Sequence, residues 1–231
     1  MINKLITLLN NASNKNKFMI KRGLFFAMMF ILIACSSAKK SKNGKGWISL
    51  YDGKSFDGWK FSEKPGSFKI ENGSIVVAGP RSHLYYDGNV MDHNFKNFEV
   101  KAQVMTMKGS NSGFYFHTAY QDKGFPDKGF EVQVNNSHTD WKRTAGLYDI
   151  VDTREVNVTD SVWFTLYIKV EGNKVLTMIN DKVVVDYTQP ENTASPKGHP
   201  GRVISSGTFA LQAHDPKSVV WYKDIMVKPL P

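Results

Sequence analysis

The sequence predicts an all-β domain, an antiparallel sandwich or barrel. Three observations carry that reading. From Trp47 onward the chain is a series of short β-type runs, about a dozen, punctuated by Gly, Asn, Asp and Pro. Several of these runs alternate apolar and polar residues with period two. In the same region no window of about 12 residues carries an apolar stripe at helical spacing.

The elements follow in order. Phe68-Lys69-Ile70, then Glu71-Asn72-Gly73-Ser74, then Ile75-Val76-Val77 reads as a tight hairpin, because Asn-Gly supplies the positive φ angles of a two-residue turn. Phe98 to Val104 alternates with period two. So does Trp163 to Val170, which turns at Glu171-Gly172-Asn173, returns through Lys174 to Ile179, turns at Asn180-Asp181 and leaves through Lys182 to Tyr187. That stretch predicts a three-strand meander. Further strands are predicted over 112–118, 130–135, 145–151, 208–214 and 219–228. Residues 188–207, with Pro190, Pro196 and Pro200, read as a long surface loop, a length often tied to function.

Composition narrows the function classes. Of 231 residues, 41% are hydrophobic and 22% charged, so the chain can bury one sizeable core and is no disordered tail. The formal charge is +9, but the excess lies near the amino terminus. Lys4, Lys15, Lys17, Lys21, Arg22, Lys39, Lys40, Lys42 and Lys45 account for all of it, leaving 46–231 balanced. A domain built to neutralise phosphates would not balance this way, which argues against nucleic acid as a partner.

The same end reads as an address. Lys21 and Arg22 precede an apolar run from Leu24 to Ala34, shorter than the roughly 20 residues a membrane-crossing helix needs. The run closes on Leu32-Ile33-Ala34-Cys35, and Cys35 is the only cysteine. This pattern resembles the lipobox of bacterial lipoproteins, in which that cysteine is lipidated. The expected organisation is a signal peptide over 1–35, a flexible tether over 36–46 and one folded domain over 47–231. Met19 opens a better-proportioned leader than Met1. The expected location is the cell envelope, periplasmic or outer-membrane, with the membrane reached only through the lipid anchor.

Three strands carry an unusual polar row. Asn111, Gly113, Tyr115 and His117 share one side of their strand by period two, opposite Phe114 and Phe116. Glu131, Gln133 and Asn135 do so opposite Phe130, Val132 and Val134, and Gln212 and His214 do so opposite Phe209 and Leu211. A face that merely meets water usually carries Lys, Glu, Thr and Arg. Amides, imidazoles, a carboxylate and a tyrosine instead suit hydrogen bonding to sugar hydroxyls. Trp141 and Tyr148 offer flat apolar faces for a sugar ring, and His83 is a further candidate for the groove. His93, His138 and His199 read as exposed loop residues. There is no His-Glu-x-x-His spacing, phosphate loop or Gly-x-Ser-x-Gly elbow. No spacing requires a metal or other cofactor, although a divalent cation beside Glu131 is compatible with its oxygen ligands.

A family resemblance rests on these residues. Trp47-Ile48-Ser49-Leu50-Tyr51-Asp52-Gly53-Lys54, with Trp59 after it, resembles the opening motif of the 3-keto-disaccharide hydrolase family, formerly a domain of unknown function. Phe98-Glu99-Val100, Asn111-Ser112-Gly113-Phe114, Phe130 to Val134, Thr144 to Tyr148, Asn180 to Tyr187, Leu211 to His214 and Val219 to Ile225 are similar to its later motifs, in order. The chain departs from the pattern at His117, where Arg is common, and at Ala213, where Asp is usual. The resemblance implies a concanavalin-like jelly roll of two curved antiparallel sheets, acting on glycosides oxidised at carbon 3.

The groups fit that chemistry. A conventional glycosidase needs two carboxylates about the scissile bond, but the row offers only Glu131 beside Gln133 and Asn135. A ketone at carbon 3 acidifies the hydrogen on carbon 2, so the group on carbon 1 can leave by elimination and water can add afterwards. One base, one proton donor and support for an enolate oxygen suffice. Glu131 and His214 are the expected acid–base pair, with His117 a second proton donor. Asn111, Tyr115, Gln133, Asn135, Gln212 and His83 are expected to bind substrate, with Trp141 or Tyr148 stacking on the ring. The alternatives are a lectin-like carbohydrate-binding lipoprotein without turnover, or a conventional glycoside hydrolase.

Overall fold

The computed structural model describes residues 46–193, 199 and 201–231. The leader, Cys35 and all of the tether except Gly46 lie outside them. Among the described residues, thirteen strands form two antiparallel sheets, as the runs predict. They are β1 (Ile48–Ser49), β2 (Trp59–Phe61), β3 (Phe68–Glu71), β4 (Ser74–Ala78), β5 (Ser82–Tyr86), β6 (Phe98–Thr106), β7 (Ser112–Thr118), β8 (Phe130–Val134), β9 (Phe164–Glu171), β10 (Lys174–Ile179), β11 (Lys182–Thr188), β12 (Thr208–Ala213) and β13 (Val219–Pro229). The larger sheet runs β11-β10-β9-β6-β13-β4-β3, with β1 paired to β13; the smaller runs β2-β5-β12-β7-β8. This is the expected concanavalin-like jelly-roll sandwich.

Local chemistry sets the turns. Asn72 and Gly73 (φ 49° and 76°) close β3 on β4, and Asn180 and Asp181 (φ 47° and 66°) close β10 on β11. Both supply the two positive φ angles of a twist-matched hairpin. The inward faces pack aromatic rings between the sheets: Phe98 meets Phe209 edge-on at 5.0 Å, and Phe116 stacks on Phe130 at 5.1 Å.

The two sheets differ on their outer faces. In the larger one, β6 and β9 alternate buried and half-buried residues, so one face meets water. In the smaller one, every residue of β5, β7, β8 and β12 is buried. Its outer face is therefore covered, not merely wetted. The run 145–151, predicted as a strand, is a loop with only isolated bridges from Leu147 to Val132 and Val151. Positive φ angles at Ala145 (68°) and Asp149 (58°) break the extended path.

Candidate active site

Register brings the polar rows together. Gly113 pairs with Gln133 and Tyr115 with Glu131 across β7 and β8, and Ala210 of β12 pairs with Tyr115. Over this face lies a cavity of about 110 Å³, lined by Asn111, Tyr115, Glu131, Gln133, Tyr148 and Gln212, with Phe125, Asp140, His199, Arg202 and His214 completing it. Seven of the lining residues are thus candidates from the sequence. A larger depression of about 450 Å³ near residues 49–58 and 86–89 gathers three aspartates but no histidine, lysine or arginine, so it lacks an acid–base set.

Glu131 is the centre of the cluster and is only 6% exposed. The Tyr115 hydroxyl donates to its Oε2 at 2.7 Å, and the Gln212 amide donates to its Oε1 at 3.1 Å and to the Tyr115 oxygen at 2.8 Å. Arg202 Nη2 stands 3.6 Å from Oε2. Burial pushes the Glu131 carboxyl above the usual range, while the Tyr115 hydrogen bond, the Arg202 charge and the Gln212 amide pull it back. Burial also raises the Tyr115 phenol far above its ordinary value, so that hydroxyl stays a donor. Gln133 Nε2 donates to Asn111 Oδ1 at 2.6 Å, leaving Gln133 Oε1 without a partner, as is Gln212 Oε1.

His214 lies just past β12 on the same cavity, its side chain about a third exposed. Its Nδ1 donates to Asp215 Oδ2 at 2.9 Å, which leaves Nε2 as the lone-pair nitrogen. Burial alone would raise Asp215, but hydrogen bonds from Ser218, His214 and the Lys217 amide hold it down at about 2. A carboxylate that stays ionised fixes both tautomer and orientation of the ring.

His117 does not join this cluster. Its φ of +54° ends the period-two alternation, and the register of β7 against β12 shifts at the same place. The ring packs against Phe98 and Phe116, donates from Nε2 to the Lys96 carbonyl and accepts the Ser205 amide at Nδ1. Asn135, just beyond β8, is spent on structure: its side chain holds the carbonyls of Asp140 and Lys142 and the His138 amide. His83 is fully buried against Tyr115 and Phe125, beside the cavity wall and outside its lining. Trp141 is exposed and also outside the lining, with the Arg154 guanidinium 4.0 Å above its ring. Tyr148 does line the cavity, but Lys142 Nζ (3.7 Å) and the Arg202 guanidinium (4.8 Å) occupy its ring rather than leaving it bare for a sugar.

The sequence reading passed over Arg202, Phe125, Asp140 and Asp215, and it read His199 as an exposed loop residue, whereas His199 lines this cavity with its side chain about a third exposed. Arg202 is 4% exposed and donates from Nη1 to the Tyr148 carbonyl at 2.5 Å. His199 pairs with Asp149 at 2.9 Å, and Lys142 reaches the same carboxylate. Both come from the loop after β11, where no periodicity marks an inward residue. Asp215 had a local signal, its adjacency to His214. Among the described residues, no group of three or more His, Cys, Asp or Glu side chains is placed to hold a metal ion.

Fold and site together define a lectin-type jelly roll whose smaller sheet carries a small cavity lined by titratable side chains. The chain belongs to the 3-keto-alpha-glucoside-1,2-lyase-like domain family, whose model matches residues 46–228. A 3-keto-disaccharide hydrolase from Bacteroides thetaiotaomicron is 29% identical over 169 residues, which is 62% of this chain and 58% of that relative. The chain thus spans less than two thirds of that protein. A glycosyl hydrolase candidate from Parabacteroides distasonis shares the fold with a TM-score of 0.68 at 21% identity, over 80% of this chain and 94% of that one. A Bacillus subtilis protein of unknown function with a galectin-like fold gives 0.59 at 11% identity, over 79% and 94%.

Proposed function

We propose that this protein cleaves the glycosidic bond of 3-keto-glycosides, including 3-keto-disaccharides, by elimination followed by hydration. The observation that carries the reading is one cavity lined by Glu131, Arg202 and His214, with Asp215 bonded to His214 from behind. Membership in the family and the relative's activity support the substrate class.

In the first step His214 Nε2 takes the proton from carbon 2, and the electron pair moves into the carbon 2–carbon 3 bond as the ketone becomes an enolate. The positive charge of Arg202 favours that oxyanion. The enolate then collapses back to the ketone, the carbon 1–carbon 2 double bond forms, and the bond from carbon 1 to the leaving oxygen breaks. Glu131, whose carboxyl burial shifts toward the protonated form, gives that oxygen its proton. Water then adds across the new double bond, hydroxyl to carbon 1 and hydrogen to carbon 2, so the net change is hydrolysis. The Cys35 leader and tether support a lipid-anchored location in the cell envelope.

The test offers the purified protein a 3-keto-glucoside beside its unoxidised parent. Loss of only the keto compound is the expected result. Equal loss of both would favour a conventional glycosidase, and binding without loss would favour a lectin.

A further inference from the structure

We infer that His199 is a second catalytic base of the same cavity, the group that takes a proton from the water adding to carbon 1, with Asp149 positioning it. The inference rests on the proposed elimination and hydration, and it assigns a residue to the second half of that sequence.

The cavity has two histidine–aspartate pairs of like build. His199 and His214 both line it. Their side chains are 33% and 32% exposed, so both can be reached from solvent. His199 Nε2 stands 2.9 Å from Asp149 Oδ2, as His214 Nδ1 does from Asp215 Oδ2. Lys142 holds the other oxygen of Asp149 and stands 3.5 Å from Asp152. Burial alone would raise Asp149, but the hydrogen bond and charge of Lys142, with the charges of Arg202 and His199, hold it below the ordinary carboxylate range. An ionised carboxylate beside Nε2 keeps the ring proton there and the lone pair on Nδ1.

Following the protons leaves this second pair a task. Elimination puts the carbon 2 proton on His214, where it stays until it returns to carbon 2. His214 therefore cannot deprotonate water in between. Glu131 has by then given up its proton, but it is 6% exposed, and Gln212 and Tyr115 donate to its Oε1 and Oε2. Asp140, also on the lining, accepts the Lys142 amide at Oδ1. Imidazole is the stronger base of the two classes, and His199 is the remaining one on the lining.

The step balances. As the water oxygen bonds to carbon 1, one of its O–H bonds breaks and that proton goes to His199. The electron pair of the carbon 1–carbon 2 double bond moves into the carbon 2–carbon 3 bond, and the ketone again becomes an enolate. The enolate collapses, and carbon 2 takes the proton from His214. The proton on His199 then passes through water to Glu131, which restores all three groups.

The test follows one turnover of a nitrophenyl 3-keto-glucoside by the full-length protein, reading the leaving group by colour and the sugar products by NMR. Wild type is compared with His199→Ala, His199→Gln and Asp149→Asn, with a melting curve for each. Wild type should yield the free 3-keto sugar. Both His199 variants should form that sugar at least about 10²-fold more slowly, so that the enone, unsaturated between carbons 1 and 2, accumulates once the leaving group has gone. Asp149→Asn should accumulate the same enone, and its absence there would overturn the positioning role. A merely structural role would slow both halves together and build up no enone. Free sugar keeping pace with the leaving group in both His199 variants would overturn the inference, make Glu131 the base for water and leave the elimination standing. Wild type that itself stops at the enone would overturn it in the same way. No consumption of the keto compound by wild type would overturn the elimination reading and the inference together. If His199→Ala fails to fold, His199→Gln decides by the same criteria.

Discussion

The Cβ that Gly113 lacks would lie 2.5 Å from Oε1 of Glu131, and 2.9 and 3.0 Å from its Cγ and Cδ. The carboxylate therefore rests on the bare backbone of the neighbouring strand, and any larger residue there must displace it. That contact fixes where the acid of the proposed reaction sits.

Gly113→Ala should consequently fold and still lose activity. Turnover of a 3-keto-glucoside is expected to fall about 10²-fold, the usual effect of moving a reacting group by about 1 Å. Thermal unfolding should shift by only about 2–4 °C. Steady-state kinetics beside a melting curve checks both, and wild-type turnover would show that the Glu131 position is immaterial.

Tyr115→Phe separates acid from base. The Tyr115 hydroxyl stabilises the ionised form of Glu131, so its removal keeps the carboxyl protonated to higher pH. If Glu131 is the proton donor, the alkaline limb of the kcat/KM profile moves to higher pH and the acidic limb stays. Were the acidic limb to move instead, Glu131 would be the base and the roles would exchange.

Asp215→Asn leaves His214 in place but replaces the charged acceptor that fixes its tautomer with a neutral amide. Turnover should drop about 10²-fold or more. Ser218→Ala, which removes one of the hydrogen bonds on Asp215, should cost less than about tenfold. Equal losses in the two variants would contradict an orienting role for Asp215.

Acid should destabilise the fold through two histidines outside the cavity. Burial holds His83 down at about 3 and His117 at about 4, in both cases well below the ordinary 6.5. The unfolded chain therefore binds protons that the folded one refuses. Their contribution is present above pH 6.5 and lost as pH falls toward the folded values. At about pH 4.5 each should cost about 2–3 kcal/mol. His83→Phe should abolish its share and cost little at neutral pH, because neither ring nitrogen has a partner. His117→Phe should cost about 1–3 kcal/mol even at neutral pH, by orphaning the Lys96 carbonyl and the Ser205 amide. Urea unfolding of each variant at the two pH values reads these differences.

Much of this was legible in the sequence where one physical rule acted alone. The meander of β9 to β11 alternates cleanly because one face meets water, and the Glu131–Gln133 and Tyr115–Gly113 rows follow from period two and register. β5 was not legible: Ser82 to Tyr86 is buried on both faces, which erases alternation. His117 misled because a left-handed backbone at one residue swings a side chain to the wrong face, and no residue type announces that. Arg202 was hidden, and His199 read as exposed, because a loop has no period; in the structure both line the cavity that contains Glu131.

The account rests on Glu131 and His214 exchanging protons with one ketone-bearing ring. Single-turnover consumption of a 3-keto-glucoside by wild type, Glu131→Gln and His214→Ala tests it most directly. Both variants should bind the compound and consume it at least about 10²-fold more slowly. Wild-type rates in both would contradict it.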